Sequence, residues 1–216
     1  LAAALTAGLA AAPAGAQSLR IAHGYPAQSI IGATYDHFAE YVEANSEIEA
    51  EVFALTLLDL RQASPGLTSG VADVSMVLTP YFQNEFSEAN FPADLSMAAN
   101  IDGQPTSIAA AMAGAMMEYI IFNCPDCRMQ IAAQNQVYLA TAPGTQFSLL
   151  CREPLTTLDD VAGKVLRSST NTFRRWTEAM GATASSISGN EMYDGLNQGL
   201  IDCTVNAVGE MSNFSL

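Results

Sequence analysis

A seven-residue phrase occurs twice in this chain: Leu67-Thr68-Ser69-Gly70-Val71-Ala72-Asp73 is echoed, faintly, by Leu196-Asn197-Gln198-Gly199-Leu200-Ile201-Asp202. Each copy reads as a helix end, a glycine stop, and then an aspartate leading into a strand. Each lies downstream of a strand–helix unit, Leu19 to Ala44 for the first and Val165 to Met180 for the second. Two halves built alike imply two similar α/β lobes facing a cleft. In such sheets ligands sit beyond the carboxyl ends of the strands. Here those ends are His23 to Tyr25, Leu78 to Tyr81, Arg167-Ser168 and Asn206.

The periodicities between these points fill in the alternation. Leu19 to His23 is predicted as a strand, ended by Gly24 and Pro26. Ile31 to Ala44 follows as an amphipathic helix, with Tyr35, Phe38, Ala39 and Val42 on its apolar face. Ile48 to Leu55 alternates as a second strand, and Asp59 to Ser69 is a weaker helix interrupted by Pro65-Gly66. Ala72 to Leu78 reads as a buried strand, so the first half carries a parallel sheet. Thr106 to Phe122, rich in Ala and Met, reads as a buried helix; Cys124 to about Gln134 is a short helix and Gln136 to Thr141 a strand. Phe147 to Cys151 is a strand, Thr157 caps a helix start with Asp160 in its first turn, and Gly163 closes it. A short strand near Ala184 to Ile187, a helix from Asn190 to Gln198 and a strand from Leu200 to Asn206 complete the series.

Gly163 to Trp176 carries the most chemistry. Val165 and Leu166 form a strand, Ser168 to Asn171 are helix-capping types, and Phe173, Trp176 and Met180 recur as a buried helical face. Arg167 stands at the strand end, where free backbone N–H groups favour anions and a planar guanidinium pairs bidentately with a carboxylate. The plainer reading of an arginine at a strand end is solvation.

The net charge of −14 over 216 residues, with a single lysine, argues against a nucleic-acid partner, and it makes any anion site a local one. Residues 1–16, LAAALTAGLAAAPAGA, read as the apolar core and A-x-A cleavage site of a secretory signal that lacks its start. An exported chain favours disulfides. Of the three possible pairings, Cys124–Cys127 and Cys151–Cys203 are expected, the second because Phe147 to Arg152 and Leu200 to Asn206 make plausible neighbours. The rival for Cys124/Cys127 is a periplasmic thiol-disulfide redox motif at a helix start, which lacks the Trp-rich, βαβ context such motifs have. The cysteine spacing is not that of a zinc ribbon, so no metal and no cofactor are expected. His23 and His37 have no Ser or Cys partner at a recognisable spacing, and the chain is not expected to be an enzyme. Tyr25, Tyr81 and Phe82 are candidate cleft residues, although each is more often core than contact.

The whole arrangement resembles the solute-binding proteins of tripartite ATP-independent periplasmic (TRAP) transporters, of the dicarboxylate-binding type. Leu19 to His23 is similar to that family's opening strand, Gly70 to Val74 to its helix stop and strand, Leu155 to Arg167 to its "tLeDLkGkkiR" run, and Glu191 to Asp202 to its "sEvYtALqtGviDG" run. The resemblance spans about Ser18 to Asn206. It implies a two-lobed periplasmic binding fold (type II-like), each lobe a mostly parallel sheet flanked by helices, with further helices expected beyond Leu216. The lobes would be residues 17–145 and 146–216. It also implies an extracytoplasmic receptor for a small organic anion that serves a TRAP-type permease. By that resemblance Arg167 pairs with the substrate carboxylate and Asn206 reaches the ligand, with His23, Tyr25, Tyr81 and Ser168 at the other strand ends. Gln146 stands where some sialic-acid-binding members have a second arginine. Around Asn206 the family's usual Gly, acidic residue and Pro are replaced by Cys203, Val205 and Ala207. A sensor domain on the same fold is the other alternative; a neighbouring permease gene separates the two.

Overall fold

The computed structural model describes residues 18–94, 107–142, 147–214 and 216. The signal-like stretch 1–16 and Gln146 lie outside the described residues.

Two sheets organise the chain. The first has strand order β2-β1-β3 and is parallel throughout, with β1 (Ser18–His23) between β2 (Glu49–Ala54) and β3 (Val74–Ser75). The second has order β4-β7-β5-β6, from β4 (Phe147–Cys151), β7 (Cys203–Ala207), β5 (Val165–Arg167) and β6 (Thr183–Ser185). β5 is parallel to both its neighbours, and β4 alone runs antiparallel, along β7. Between β1 and β2 runs α1 (Ile30–Asn45), capped by the Ser29 hydroxyl, which accepts from Gly32 N. α2 (Ala63–Thr68) precedes β3, and α6 (Asn171–Ala179) links β5 to β6. These two lobes are the architecture the alternating pattern implied.

The repeated phrase is a repeated structure. In each copy the glycine sits in the left-handed region, Gly70 at φ +73 and Gly199 at φ +73, where a Cβ would be strained. The next two amides fold back on one carbonyl: Val71 N and Ala72 N donate to Gly66 O at 2.8 and 3.4 Å, and Leu200 N and Ile201 N to Gly195 O at 2.9 and 3.2 Å. The aspartate then ties this turn to a parallel strand of its lobe, β1 in the first copy and β5 in the second. Asp73 accepts from Arg20 N at 2.8 Å, and Asp202 from Val165 N at 2.8 Å. Each aspartate N–H returns the bond, to Arg20 O and to Val165 O, both at 2.8 Å.

Several expectations are corrected. Pro65 does not interrupt α2; it lies in the first turn, where an amide proton is not needed. The Ala72 to Leu78 strand shrinks to Val74–Ser75, which pair with Ile21 and Ala22 of β1. Thr106 to Phe122 is not a buried helix. α4 (Ile108–Glu118) buries no residue, and the π turn that continues it (Tyr119–Asn123) buries only Ile120. A uniformly apolar Ala/Met run has no stripe to choose a face with. Ile120 joins a cluster with Phe86 of the loop before α3 (Ser87–Asp94), Ala89, and Cys124, Cys127 and Ile131 at α5 (Pro125–Ala133). Among the described residues Gln136 to Thr141 pairs with no strand, and Val137 and Leu139 are exposed; alternation alone does not supply a neighbouring edge. On α6 the inward residues are Phe173, Thr177 and Met180, and Trp176 stays 44% exposed. The Thr177 hydroxyl can go inside because it is 2.8 Å from Ser168 Oγ.

The cap at Thr157 forms as expected. Asp160 accepts from Thr156 N at 2.9 Å and Thr157 N at 2.8 Å, bonds that hold its carboxyl at a pKa of about 2. Because the folded value is depressed, this stabilisation is present above the unfolded value near 4 and is lost as pH falls toward about 2. Asp160→Asn is therefore expected to be less stable than the parent at pH 6 and to match it near pH 2. Urea midpoints at the two pH values check this, and an unchanged difference would show that the cap does not act through its charge.

Candidate functional site

The carboxyl ends of β1, β5 and β7 converge on Arg167. It is 2% exposed, placed there because β5 runs straight into the buried turn before α6. Its Nε donates to Ile187 O at 3.0 Å, and one terminal nitrogen donates to the Tyr81 hydroxyl at 2.5 Å. Among the described residues no carboxylate lies within ion-pair distance of it; the ion pairs there are Arg20–Asp73, His37–Glu40 and Arg174–Glu178. A buried guanidinium without a counter-ion is costly unless something else supplies the negative charge.

Tyr81 comes from the first lobe, on a single 3₁₀ turn (Thr79–Tyr81) that Pro80 starts. Its hydroxyl also accepts from Gly189 N at 2.9 Å, so it bridges the lobes. A Cβ at Gly189 would meet Leu60 Cδ1 at 3.0 Å and the Tyr81 hydroxyl at 3.4 Å, so the glycine permits the approach. More links cross the cleft. Asn190 Nδ2 donates to Gly24 O at 2.7 Å, Arg61 donates to Ser186 O and lies 5.0 Å over the Tyr81 ring, Asn171 donates to Gln83, and the Tyr25 ring packs on Phe214 at 5.1 Å. The lobes are closed on each other around Arg167.

The other candidates are placed as follows. His23 is fully buried and stacked on Tyr35 at 5.1 Å. Its Nδ1 accepts from Tyr25 N at 3.4 Å, and burial pushes its pKa down, so the ring is neutral at pH 7 with its proton assigned to Nε2. Tyr25, 3% exposed, has its hydroxyl pKa pushed up, by burial first and then by Glu210. Arg167 and Tyr81 act on the same hydroxyl, so all four groups share one space. The Ser168 N–H bonds Ser185 O at 2.8 Å, extending the pairing of β5 with β6, and its hydroxyl pairs with Thr177 of α6, so both serve the packing of the lobe. The α6 cap is Thr170, whose hydroxyl accepts from Phe173 N at 3.0 Å. Asn206, 8% exposed, donates to Met192 Sδ at 3.1 Å, and its Oδ1 accepts from Ala207 N at 2.9 Å. A thioether is a weak acceptor, one that a ligand oxygen displaces readily.

Sequence reasoning missed Glu210, Asn213 and Phe214 on and beside α8 (Glu210–Asn213), and the latch residues Arg61, Gln83 and Asn190. No periodicity marks any of them; only their position downstream of Asn206 offered a signal for the first three. An open groove of about 440 Å³ lies elsewhere, against Arg152, Tyr193, Leu196 and Met211. Arg167 is not among the residues that line it.

Both cysteine pairs are disulfides. Cys151 and Cys203 face each other across β4 and β7, and Cys124–Cys127 staples the start of α5. Cys124 is 4% exposed and Cys127 fully buried. Thiol exchange needs access to a sulfur, so this burial favours the structural role over the redox one.

Comparison with known proteins agrees with this geometry. Residues 21–216 match the family model for bacterial extracellular solute-binding protein, family 7. Among solved structures, a TRAP periplasmic solute-binding protein from Sulfitobacter sp. NAS-14.1 with bound β-D-galacturonate is 17% identical, with a TM-score of 0.73, over 92% of this chain and 64% of its own. A marine metagenome TRAP solute-binding protein specific for aromatic acid ligands, in complex with 3-hydroxybenzoate, is 21% identical, with a TM-score of 0.76, over 93% of this chain and 61% of its own. A Bordetella pertussis extracytoplasmic solute receptor binding pyroglutamic acid is 18% identical, with a TM-score of 0.73, over 93% of this chain and 64% of its own. This chain thus spans less than two thirds of the length of these structures. No curated protein matches it by sequence.

Proposed function

We propose, from the premise that this chain belongs to bacterial extracellular solute-binding protein family 7, that it is a TRAP-type receptor capturing a small organic carboxylate between lobes 17–145 and 146–216. The observation that carries this reading is Arg167: a buried guanidinium, anchored on two sides, facing a closed cleft, with no carboxylate within ion-pair distance among the described residues. A ligand carboxylate supplies the missing charge through two parallel hydrogen bonds. Asn206 and His23 Nε2 are placed to add neutral bonds. The structural relatives bind galacturonate, 3-hydroxybenzoate and pyroglutamate, all small acids. The receptor works outside the cytoplasm, in the periplasm, and delivers its acid to a TRAP-type permease. The family is one of solute-binding proteins rather than enzymes, and the role read here for the groups around Arg167 is binding. Closure is a hinge motion across the Tyr81, Asn190 and Arg61 links.

Thermal unfolding with a panel of uronic, aromatic and cyclic amino-derived acids tests this. At a ligand concentration of about 100 Kd the gain is about 2.7 kcal/mol. That corresponds to roughly 5–10 °C for a chain of this size. If no acid in the panel raises the midpoint, the carboxylate reading fails.

A further inference from the structure

Glu210 and Asn213 sit together on the one-turn α8 that follows β7. Asn213 Nδ2 donates to Glu210 Oε1 at 3.4 Å, which orients the pair. Their other two oxygens, Glu210 Oε2 and Asn213 Oδ1, are buried without a hydrogen-bond partner among the described residues. Asn213 is only 7% exposed. Buried acceptors are rarely left unpaired, because nothing replaces the water they lost. Their placement is equally telling. Phe214, the next residue, packs on Tyr25; the Glu210 charge reaches the Tyr25 hydroxyl, and the Arg167 charge reaches Glu210, opposing the rise that burial gives its pKa. Glu210 does not serve as the counter-ion of Arg167, since the two are not within ion-pair distance. The cleft thus carries a cation at β5 and two idle acceptors at α8.

Resting on the carboxylate reading above, we infer that the site selects acids bearing a hydroxyl or N–H donor in addition to the carboxylate, received by Glu210 and Asn213. The charge balance points the same way. An anionic ligand without such a donor is repelled by the Glu210 carboxyl and leaves both acceptors unpaired. A ligand with the donor satisfies them and keeps its own carboxylate on Arg167. Asn213 Oδ1 accepts whatever the protonation of Glu210.

Matched pairs of acids test this on the whole chain by titration calorimetry: 3-hydroxybenzoate against 3-fluorobenzoate, pyroglutamate against the lactone with oxygen in place of its N–H, and lactate against propionate. The donor-bearing member of at least one pair is expected to bind at least about tenfold tighter, since sites built to pair a donor reject analogues that lack it. In Glu210→Met and in Asn213→Leu that ratio is expected to fall to about threefold or less, with the donor-free acid bound no more weakly than by the parent. Each ratio is internal to one protein, so a partly destabilised variant still reports, and either variant suffices if the other does not fold. Equal binding of both members of every pair, or an undiminished ratio in the variants, overturns this inference alone. Binding of none of the six acids overturns it together with the carboxylate reading.

Discussion

Arg167→Ala is expected to weaken binding of a carboxylate ligand by at least ~10-fold and by as much as several hundred-fold. Each charge-assisted bond contributes on the order of 1.5–3 kcal/mol net, and about 1.4 kcal/mol is a factor of ten in affinity. The structure sharpens the case. Ile187 O and the Tyr81 hydroxyl hold the guanidinium from two sides, so its remaining donors are oriented before any ligand arrives. Arg167→Lys keeps the charge, but one ammonium cannot hold both anchors and also present a fork, so it should recover only part of the affinity. Asn206→Ala should cost less than Arg167→Ala, because it removes a neutral group now bonded to a thioether. Added salt should change parent affinity only modestly, since it screens both Arg167 and the repulsion from a net charge of −14. Calorimetry against the acid that stabilises the parent most, with unfolding midpoints as the control for folding, measures all of this. A folded Arg167→Ala protein that binds as tightly as the parent would remove Arg167 from the site.

The second large effect is on stability, and the two disulfides separate it. Cys151–Cys203 closes a loop across a sequence separation of 52, Cys124–Cys127 one of 3. Loop-closure entropy gives about 4 kcal/mol for the long loop and about 2 kcal/mol for the short one. Cys151→Ala with Cys203→Ala should therefore lower the unfolding midpoint by roughly 10 °C, about twice the effect of Cys124→Ala with Cys127→Ala. Packing adds in the same direction. Cys203 is fully buried beside Val161, Leu166 and Ala182 in the core of the second lobe, and the bridge ties it to β4, whose strand pairing is along β7. Urea unfolding of the two double variants in oxidising buffer decides it. Equal losses would show that neither bridge acts mainly by restricting the unfolded chain.

What the residues alone determined is local or short-range. Gly70 and Gly199 must stop their helices, because each supplies the left-handed turn that lets two amides return to one carbonyl, and the aspartate after each must bond the strand beside it. That repeated unit, with the parallel pairing it enforces, made two α/β lobes legible, and Arg167 at a strand end made a candidate anion site legible. The capping box at Thr157 and Asp160 and both disulfides were readable for the same reason: each needs only the spacing of a few residues or one pair of neighbouring strands.

Tertiary structure decided what depends on a partner far away in sequence. Alternation in Gln136 to Thr141 gives an extended chain, but no edge among the described residues receives it, and the apolar run before Cys124 has no stripe to bury. On α6 the choice of Thr177 over Trp176 for the interior rests on Ser168, which satisfies the threonine hydroxyl. The cleft is the strongest case. Tyr81 reaches Arg167 across 86 residues and Asn190 reaches Gly24 across 166, contacts set by how two finished lobes meet. Glu210 and Asn213 lie in a four-residue turn with no periodicity, and only the closed fold puts their unpaired oxygens in the same space as Arg167. A sequence encodes its helices and strands through neighbours along the chain; a ligand site is assembled from the ends of several, and its polarity is fixed only once water has been excluded from between them.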